Sequence, residues 1–554
     1  MNLKKWIKAA LPVMFLGSAL SAGNNNNSAL TNVPAANPKV PGVAPANILS
    51  PELIEVVVGQ GSMRMENTSA LTSYYGYDND VLSAPPDFPR MLPATGAVPS
   101  PAAKIEATKT EADKNTYLIL RQQDGADPRY NYGQHFLFQG HELGAGGAGY
   151  ITRINLDADG AHRITLMATT DVNGKPLPVI DGSTWYPFSE HLLFTAELGA
   201  NGGVWQATAG YPSTVEDISG VTGRGGYEAI QADNRGNLII VEDVGGSTGT
   251  VNSHARRPNS FVYRFMPYNP LNLKQGGKLQ ALQVMSKAHS GPIVFGSGGA
   301  DADIKSQDSK DLHTYGLVFQ TNWVLIHDTA TQGSTPFDAN TLAKAAMATP
   351  FKRPENGQFR PGTNFTEFVF DETGDTNALT EAGSDYGGFG GIFRLKLLGG
   401  DSGLLSLFYK SDSAHSGFDN CAFWTADKVV FVEDAGDTLH TQRNALDSAY
   451  LFDLNTDYST GKQPVRILAQ GRDPSATIDS GFVGTPGHQN EGDNEITGFF
   501  VSDGDPTVRG LLGTQAPAPF SRGWRVFYTQ QHGDNITWEI LPSRHGDNDD
   551  EREN

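Results

Sequence analysis

The chain has 554 residues and a formal net charge of −20, with 63 glycines, 32 prolines and 18% charged residues. This composition suits many short strands joined by turns and argues against long charged helices. The acidic balance, without a basic stripe along the chain, argues against a nucleic-acid-binding protein. Length alone would allow several domains, but large all-β folds often run this long as one.

The first 22 residues have the pattern of a secretory signal peptide. A basic start, MNLKKWIK, precedes an apolar stretch that is too short to span a bilayer, and small residues follow near Ala22. The start carries a lysine pair and no twin arginine, which favours the general secretory route over export of the folded protein. We therefore predict an exported protein, periplasmic or extracellular, without an integral membrane span.

The rest of the chain is predicted to form a single domain with short tails. Residues 23–51 are rich in asparagine and proline, which predicts a flexible leader. Residues 544–554 are strongly acidic and are predicted to be a disordered tail. No long linker divides residues 52–543, so we predict one domain there. Cys421 is the single cysteine, so no internal disulfide can form, and its apolar strand predicts a buried small hydrophobe.

A unit of three strands recurs along the chain. Between 226 and 266 the sequence reads YEAIQAD, a turn, LIIVED and, after a loop, FVYRFMP. The same order returns from 418 as FDNCAFWTAD, KVVFVED and AYLFDL, and looser copies give six units of roughly seventy residues. Helical periodicity is clear only in ANTLAKAAM at 339–347. The predicted fold is therefore all-β, a six-bladed β-propeller, because a β-sandwich would not explain the repeated acidic ending.

Acidic residues recur at the ends of the second strands. In a propeller, the first strand of each blade lines the central channel, and its start lies at the same face as the end of the second strand. Acids at both positions converge at one channel mouth, where close carboxylates need cations to stay ionised. Oxygen ligands suit Ca²⁺, and a histidine would admit a transition metal. The ligands predicted from these positions are Glu142, Glu197, Glu228, Glu242, Asp243, Asp419, Glu433, Asp434, Glu495 and His532, with Glu372 and Gln531 beside them.

Several short motifs resemble, in order from about 130 to 540, the PhoX-type alkaline phosphatases, a bacterial family of metal-dependent six-bladed propellers. FLFQGHELG resembles the family's Asn-His-Glu-Tyr segment, GSTWYPFSEHLLFTAELGANGGVWQ its Gly-Thr-Trp…Cys-Glu-Glu segment, and GRGGYEAIQAD its Gly-Arg…His-Glu-Ala segment. TPFKRPENG resembles its Arg-Pro-Glu motif, FDNCAFWTADKVVFVEDAG its Asp-Asn-Leu-Ala-Phe unit, and EITG with YTQQHGDN its closing segments.

The resemblance implies a secreted enzyme that releases inorganic phosphate from phosphate monoesters at a site of iron and calcium. It implies Glu355 as a further metal ligand, and Arg353 and Arg224 as the catalytic arginines that hold the phosphate. Cations would neutralise the phosphate oxygens and supply the nucleophile, so that no serine nucleophile is needed. The expected partner is a small phosphorylated substrate, bound by a monomer.

The sequence departs from the family at three positions. Ala196 stands where the family has an iron-binding cysteine, Tyr227 where it has a histidine, and Leu198 where it has a second glutamate. Loss of the thiolate weakens the case for iron and leaves calcium as the expected cation. Two alternatives to a phosphoesterase stay open. One is a calcium-stabilised propeller that binds a partner without catalysis, and the other is a calcium-dependent lactonase or other ester hydrolase.

Overall fold

The computed structural model describes residues 29–33, 46–79, 110–142, 148–197, 201–296, 298–471, 495–531 and 535–543. The predicted signal peptide (1–22), most of the predicted leader, His532 and the acidic tail (544–554) lie outside these residues. None of the helices within the described ranges combines the length and the apolar character needed to cross a membrane.

The described residues form short strands rich in β-branched and aromatic residues, as the sequence predicts. In chain order the strands are β1 (Ile48–Leu49), β2 (Leu53–Gly59), β3 (Thr72–Tyr74), β4 (Tyr77–Asp78), β5 (Thr116–Ile119), β6 (His135–Gly140), β7 (Ile151–Asn155), β8 (Ile164–Ala168), β9 (Ser183–Tyr186), β10 (His191–Ala196), β11 (Gly203–Thr208), β12 (Val215–Asp217), β13 (Tyr227–Ala232), β14 (Leu238–Glu242), β15 (Val262–Pro267), β16 (Gly277–Val284), β17 (Val318–Asp328), β18 (Gly357–Phe359), β19 (Glu367–Glu372), β20 (Gly391–Gly399), β21 (Ser402–Lys410), β22 (Phe418–Phe423), β23 (Lys428–Glu433), β24 (Ser448–Asp453), β25 (Val465–Ala469), β26 (Ile496–Ser502), β27 (Arg525–Gln530) and β28 (Ile536–Pro542).

Helices are short and lie in the connections between strands. They are α1 (Ser219–Thr222), α2 (Ala300–Ile304), α3 (Gln307–Leu312), α4 (Thr329–Gln332), α5 (Ala339–Ala345) and α6 (Gly436–Arg443). The helix predicted from ANTLAKAAM is confirmed as α5, whose first turn is capped by the Asp338 side chain accepting from the Thr341 N–H.

The strands form antiparallel sheets in which neighbours along the chain pair with each other. Two sheets run β5-β6-β7-β8 and β9-β10-β11-β12, and two more run β22-β23-β24-β25-β1 and β26-β27-β28-β2. A sheet in the order β13-β14-β15-β16-β17-β21-β20-β19-β18 joins two four-strand sets through the long strand β17. The paired strands β3 and β4 stand apart as a small ribbon.

The first strand of each set of four consecutive strands lies beside a central channel. Strand β5 contacts β9, β9 contacts β13, β13 contacts β18, β18 contacts β22, β22 contacts β26, and β26 returns to β5. The two ends of the chain close this circuit, because β2 pairs with β28 and β1 with β25. The arrangement is all-β and propeller-like, as the repeats predict. Part of the segment predicted as a leader also packs on the fold, since the Val33 N–H donates to the Arg466 carbonyl (2.8 Å).

Apolar packing between neighbouring sheets holds the first strands in place. Leu193 and Val204 of one sheet belong to the same buried cluster as Ile230 and Ile240 of the next. Strands β13, β22 and β26 each carry a bulge close to their start. Bulges of this kind redirect side chains at the rim of a sheet, here at one mouth of the channel.

The insertion between β26 and β27 covers the other end of the channel. The Trp185 indole donates to the Pro506 carbonyl (2.7 Å), and the Asn364 N–H donates to the Gly513 carbonyl (3.1 Å). Leu511 packs against two of the buried apolar clusters. A cavity of about 60 Å³ remains beneath the insertion, and its lining includes Thr116, Thr184, Gln231 and Gln358 of the first strands. We call residues 503–524 the plug.

Candidate metal centre

One backbone hydrogen bond recurs where the second strand of a set ends beside the start of the first. The Asp243 N–H donates to the Gly226 carbonyl (2.7 Å), and the Asp434 N–H donates to the Gly417 carbonyl (2.7 Å). In each set this bond marks two equivalent positions at the channel mouth. One is the residue that donates, such as Asp243, and the other lies two residues after the residue that accepts, such as Glu228. The same bond joins Glu142 to Glu111, Thr373 to Arg353 and Gln531 to Glu495.

Acidic side chains occupy most of these equivalent positions and lie close together. One oxygen of each of Asp113, Glu142 and Asp181 lies within 4.8 Å of the others, and two further groups share members with this one. These groups are Asp181, Glu197 and Glu228, and then Glu228, Glu355 and Asp419. The shared members join the groups into one continuous set of carboxylates. We call Asp113, Glu142, Asp181, Glu197, Glu228, Glu355 and Asp419 the carboxylate ring.

Neutral side chains complete the mouth at the sheet that begins with β26. Thr497 occupies the position equivalent to Glu228 and donates a hydrogen bond to Asp113 Oδ1. Gln531 donates through Nε2 to Glu142 Oε2 (2.9 Å). Glu495 lies beside them, since its carbonyl accepts from the Gln531 N–H (3.0 Å). Burial raises the pKa of Glu495 well above the usual value, and the charges of nearby carboxylates, Asp434 first, raise it further.

Burial makes the ring electrostatically costly without a counter-charge. Desolvation raises the pKa of Asp181 well above its usual value, and the Glu228 and Asp113 charges raise it further. Burial likewise raises the pKa of Glu228 and of Asp419. Asp181 is 2% exposed, and its Oδ1 has no hydrogen-bond partner among the described residues. Carboxylates in such contact require either protons or cations between them.

Arg353 supplies a positive charge at the edge of the ring. Its Nε donates to Asp243 Oδ1 (2.9 Å) and its Nη2 to Asp243 Oδ2 (2.7 Å), while Nη2 lies 3.2 Å from Glu355 Oε1. The backbone of Arg353 has φ +59°, and the equivalent residue Gly417 has φ +65°. A non-glycine residue in this left-handed region is strained, and such strain concentrates at functional sites. The Arg353 side chain keeps 24% of its surface exposed.

The acids that precede Asp243 and Asp434 by one residue face away from the ring. Glu242 Oε2 accepts hydrogen bonds from Asn340 Nδ2 (2.9 Å) and the Tyr263 hydroxyl (3.0 Å), and Glu433 Oε1 accepts from Arg443 Nη1 (2.8 Å). Successive side chains of a strand face opposite sides. The structure therefore brings Asp243 and Asp434 towards the channel mouth and uses Glu242 and Glu433 to hold α5 and α6. The predicted placement of Glu242 and Glu433 among the metal ligands is corrected accordingly.

Glu372, at the same position of β19, follows the same rule. Its Oε2 pairs with His313 Nε2 (2.8 Å) just after α3, and its Oε1 accepts from the Lys352 N–H (2.8 Å). His141 occupies the corresponding place after β6, where burial lowers its pKa to about 3. It packs against Tyr150 with ring centroids 4.1 Å apart. Glu372, His313 and His141 therefore lie outside the carboxylate ring.

Arg224 is held away from the ring by other partners. Its Nη2 pairs with Asp217 Oδ2 at 2.5 Å, and its Nη1 donates to the Gly202 carbonyl (3.0 Å). The guanidinium also lies over the Trp205 ring. The predicted role of Arg224 as a phosphate ligand is therefore not matched by its position, whereas Arg353 lies at the edge of the ring beside Glu355.

The residue that replaces the family cysteine also faces away. Ala196 is fully buried and belongs to an apolar cluster with Phe194 and Trp205. It occupies the position equivalent to Glu242, so a thiol there would point into the sheet packing. Cys421 is buried on β22, with its Sγ 3.9 Å from Asn356 Oδ1. Leu198 and His532 lie outside the described residues.

Sequence comparison finds no matching family model and no matching curated protein. Among solved structures, PhoX from Pseudomonas fluorescens in complex with vanadate, a transition state analogue, matches at TM-score 0.50 and 11% identity, over 93% of this chain and 98% of that chain. TolB from Acinetobacter baumannii matches at TM-score 0.29 and 10% identity, over 78% and 64% of the two chains. Sqt1 from Chaetomium thermophilum matches at 0.30 and 10%, over 79% and 97%. The likeness to PhoX shows that this chain has a PhoX-like propeller fold.

Proposed function

We propose that the protein is an exported, metal-dependent phosphoesterase that releases inorganic phosphate from phosphate monoesters. The observation that carries this proposal is the buried carboxylate ring with Arg353 at its edge, at the mouth of a PhoX-like propeller. The PhoX structure is a complex with vanadate, a transition state analogue. We also propose that the propeller has six blades, two of which are joined in the nine-stranded sheet.

The residues of the ring fit calcium better than iron. Its donors within the described residues are all carboxylate oxygens, which calcium prefers, and Asp181 offers a buried oxygen without a partner. A thiolate at position 196 would face the apolar packing rather than the ring. Asp113, Asp181, Glu228, Glu355 and their ring neighbours would hold the cations. Bound cations would neutralise phosphate oxygens and supply an activated water as nucleophile.

Arg353 is the side chain best placed to bind the phosphate itself. Asp243 holds its guanidinium through two parallel contacts, which fixes the plane of the group. Its Nη1 meets only Thr376 Oγ1, at the long distance of 3.4 Å, among the described residues. This nitrogen can therefore donate to a phosphate oxygen that stands above the ring. The buried ring side chains exclude bulk water below that point, which strengthens each of these charge interactions.

Metal analysis combined with a panel of phosphomonoesters tests the proposal. We expect calcium in a whole-number ratio to protein, and phosphate release that chelation abolishes. Glu228→Gln should abolish turnover because Glu228 belongs to two of the three carboxylate groups. Glu242→Gln is the matched control and should retain turnover, since Glu242 is held by Asn340 and Tyr263. Metal-free protein with unchanged melting after chelation, or full activity of Glu228→Gln, would refute the proposal.

A calcium-stabilised propeller that binds a partner without catalysis is the second candidate. It is favoured by the ion pair between Arg353 and Asp243, which already engages two nitrogens of the guanidinium. This candidate requires the same bound calcium but no turnover of any phosphomonoester. The same two measurements therefore separate the candidates: bound calcium with phosphate release supports the esterase, and bound calcium without release supports the binding protein.

A further inference from the structure

Arg256 lies at the rim of the channel mouth, on the loop that follows Asp243. Its Nη1 lies 3.2 Å from the position that a Cβ atom on Gly245 would take, and it donates to the Gly246 carbonyl at the long distance of 3.4 Å. Because consecutive Cα atoms are about 3.8 Å apart and Gly245 is two residues beyond Asp243, this nitrogen lies within about 12 Å of the Asp243 Cα. The absence of a side chain at Gly245 leaves room for the guanidinium to lie over the start of the loop.

A second contact holds the Arg256 backbone on the same side of the mouth as Arg353. The Arg256 N–H donates to Asp375 Oδ1 (3.0 Å). The next residue, Thr376, places its Oγ1 3.4 Å from Arg353 Nη1. Both arginines are therefore held between the loop that begins at Asp243 and the loop that carries Asp375 and Thr376.

The Arg256 side chain is exposed and its charge is not neutralised by a neighbour. Within the described residues it donates one hydrogen bond, to the Gly246 carbonyl, and forms no ion pair. The neighbouring Arg257, by contrast, lies 3.8 Å from Asp303 Oδ2. An arginine donates in parallel pairs to carboxylate and phosphate groups. The Arg256 guanidinium is thus available to an anionic group that reaches the rim.

A phosphate held over the ring by Arg353 must point its ester oxygen out of the channel. The carboxylate ring lies beneath the phosphate, and the plug covers the other end of the channel. The organic part of a phosphomonoester can therefore extend only over the rim. On the side of Arg353, the rim carries Arg256, so an anionic group on the organic part meets a positive charge there.

We propose that Arg256 binds a second anionic group, a carboxylate or a further phosphate, on the organic part of the substrate. The protein then prefers phosphomonoesters that carry such a group to those whose organic part is neutral. The inference rests on the proposed phosphoesterase function. It makes Arg256 a specificity-determining residue, because the side chain contacts the organic part and not the transferred phosphate.

Two substrates that differ only at the far end of the organic part test this role. The compound 3-phosphoglycerate has a carboxylate where glycerol 3-phosphate has a hydroxymethyl group. The matched control for Arg256→Gln is Arg235→Gln, at an exposed arginine in the turn between β13 and β14, away from the mouth. We expect Arg256→Gln to raise the KM for 3-phosphoglycerate about tenfold, as for one lost hydrogen bond between charged groups. Its KM for glycerol 3-phosphate, its kcat values and all values of Arg235→Gln should match the wild type.

An equal change in both KM values of Arg256→Gln, or no change in either, would overturn the inference. A side chain that contacts only the far end of the substrate must discriminate between these two compounds. Failure of the calcium-loaded wild type to hydrolyse either compound would instead overturn the proposed function.

Calorimetric titration of the calcium-loaded proteins decides the inference in that case. Tighter binding of 3-phosphoglycerate than of glycerol 3-phosphate by the wild type, with the difference lost in Arg256→Gln, supports it. Equal binding of the two compounds by the wild type, no measurable binding, or a difference that persists in Arg256→Gln overturns it.

Discussion

Replacing Glu242 by glutamine isolates the effect of this buried carboxyl on the free energy of unfolding from the effects of the ring carboxylates beside it. Glu242 is fully buried at the end of β14. Its Oε2 accepts from Asn340, Tyr263 and the Phe261 N–H, and its Oε1 has no hydrogen-bond partner among the described residues. Glutamine can present its carbonyl oxygen to the same three donors. Its Nε2 then occupies the place of Oε1 without a partner.

Burial raises the pKa of Glu242 from 4.5 to about 7. A carboxyl with a higher pKa in the folded than in the unfolded chain binds its proton more tightly when folded. Its contribution to the free energy of unfolding is full below the unfolded pKa and is lost as the pH rises through the folded pKa. At about 1.4 kcal/mol per pKa unit, the loss is about 3 kcal/mol. Glutamine does not ionise, so the variant does not lose this stability, but its unpartnered Nε2 costs about 1 kcal/mol.

We therefore expect Glu242→Gln to be about 1 kcal/mol less stable than the wild type at pH 4.5 and about 2 kcal/mol more stable at pH 8. Urea unfolding at both pH values, in saturating calcium and followed by tryptophan fluorescence, measures the difference. Asp243→Asn, one residue along, is the comparison variant and should reduce cation binding, since Asp243 faces the mouth. A stability difference that does not change with pH, or a loss of bound calcium in Glu242→Gln, would refute the reasoning.

The other predictions concern the ring and the two arginines. Arg353→Gly should be more stable to urea than Arg353→Ala by about 1 kcal/mol, because both lose the guanidinium and only glycine relieves the left-handed backbone; equal stabilities would argue against the strain. Arg224→Gln should leave the KM for a phosphomonoester unchanged, whereas Arg353→Gln should raise it; a higher KM in Arg224→Gln would return Arg224 to the site. Ala196→Cys should leave the iron and calcium contents unchanged by elemental analysis, and a gain of iron would show that position 196 reaches the ring. Chelation should lower the melting temperature more at pH 8 than at pH 5, because carboxyls with raised pKa values keep their protons at the lower pH. An equal effect at both pH values would contradict that view of the ring.

The strands and the acidic mouth could be predicted from the sequence because both follow local rules. LIIVED and KVVFVED combine apolar runs with flanking turn residues, and both fold as strands that end at the first of the two acids. Repetition of the acidic ending places those residues at equivalent points of a radial fold. The sequence does not show, in the same way, towards which side of the strand each acidic side chain points. Two adjacent acids end each motif, and only the register against the channel decides which one faces it.

Residue spacing in the sequence does not reveal Asp113 and Asp181 as ring residues. Glu228 precedes Glu242 by fourteen residues, and the same count back from Glu197 leads to Ser183. The structural equivalent of Glu242 is Ala196, and the ring residue of that set is Asp181, two residues before Ser183. A bulge at the start of β13 changes the count relative to β9. Asp113 has no comparable spacing at all, because a long loop separates β5 from β6.

The plug closes the end of the channel opposite the ring, so the channel opens only at the mouth. Thr116, Thr184, Gln231 and Gln358 lie three residues beyond Asp113, Asp181, Glu228 and Glu355, so the floor under the plug is about 10 Å from the ring. The cavity of about 60 Å³ beneath it has room for only a few water molecules. If the ring binds cations and a phosphomonoester as proposed, both must enter and leave through the same mouth. A ligand seated over the mouth would trap the ions behind it, and their release to a chelator would slow in its presence.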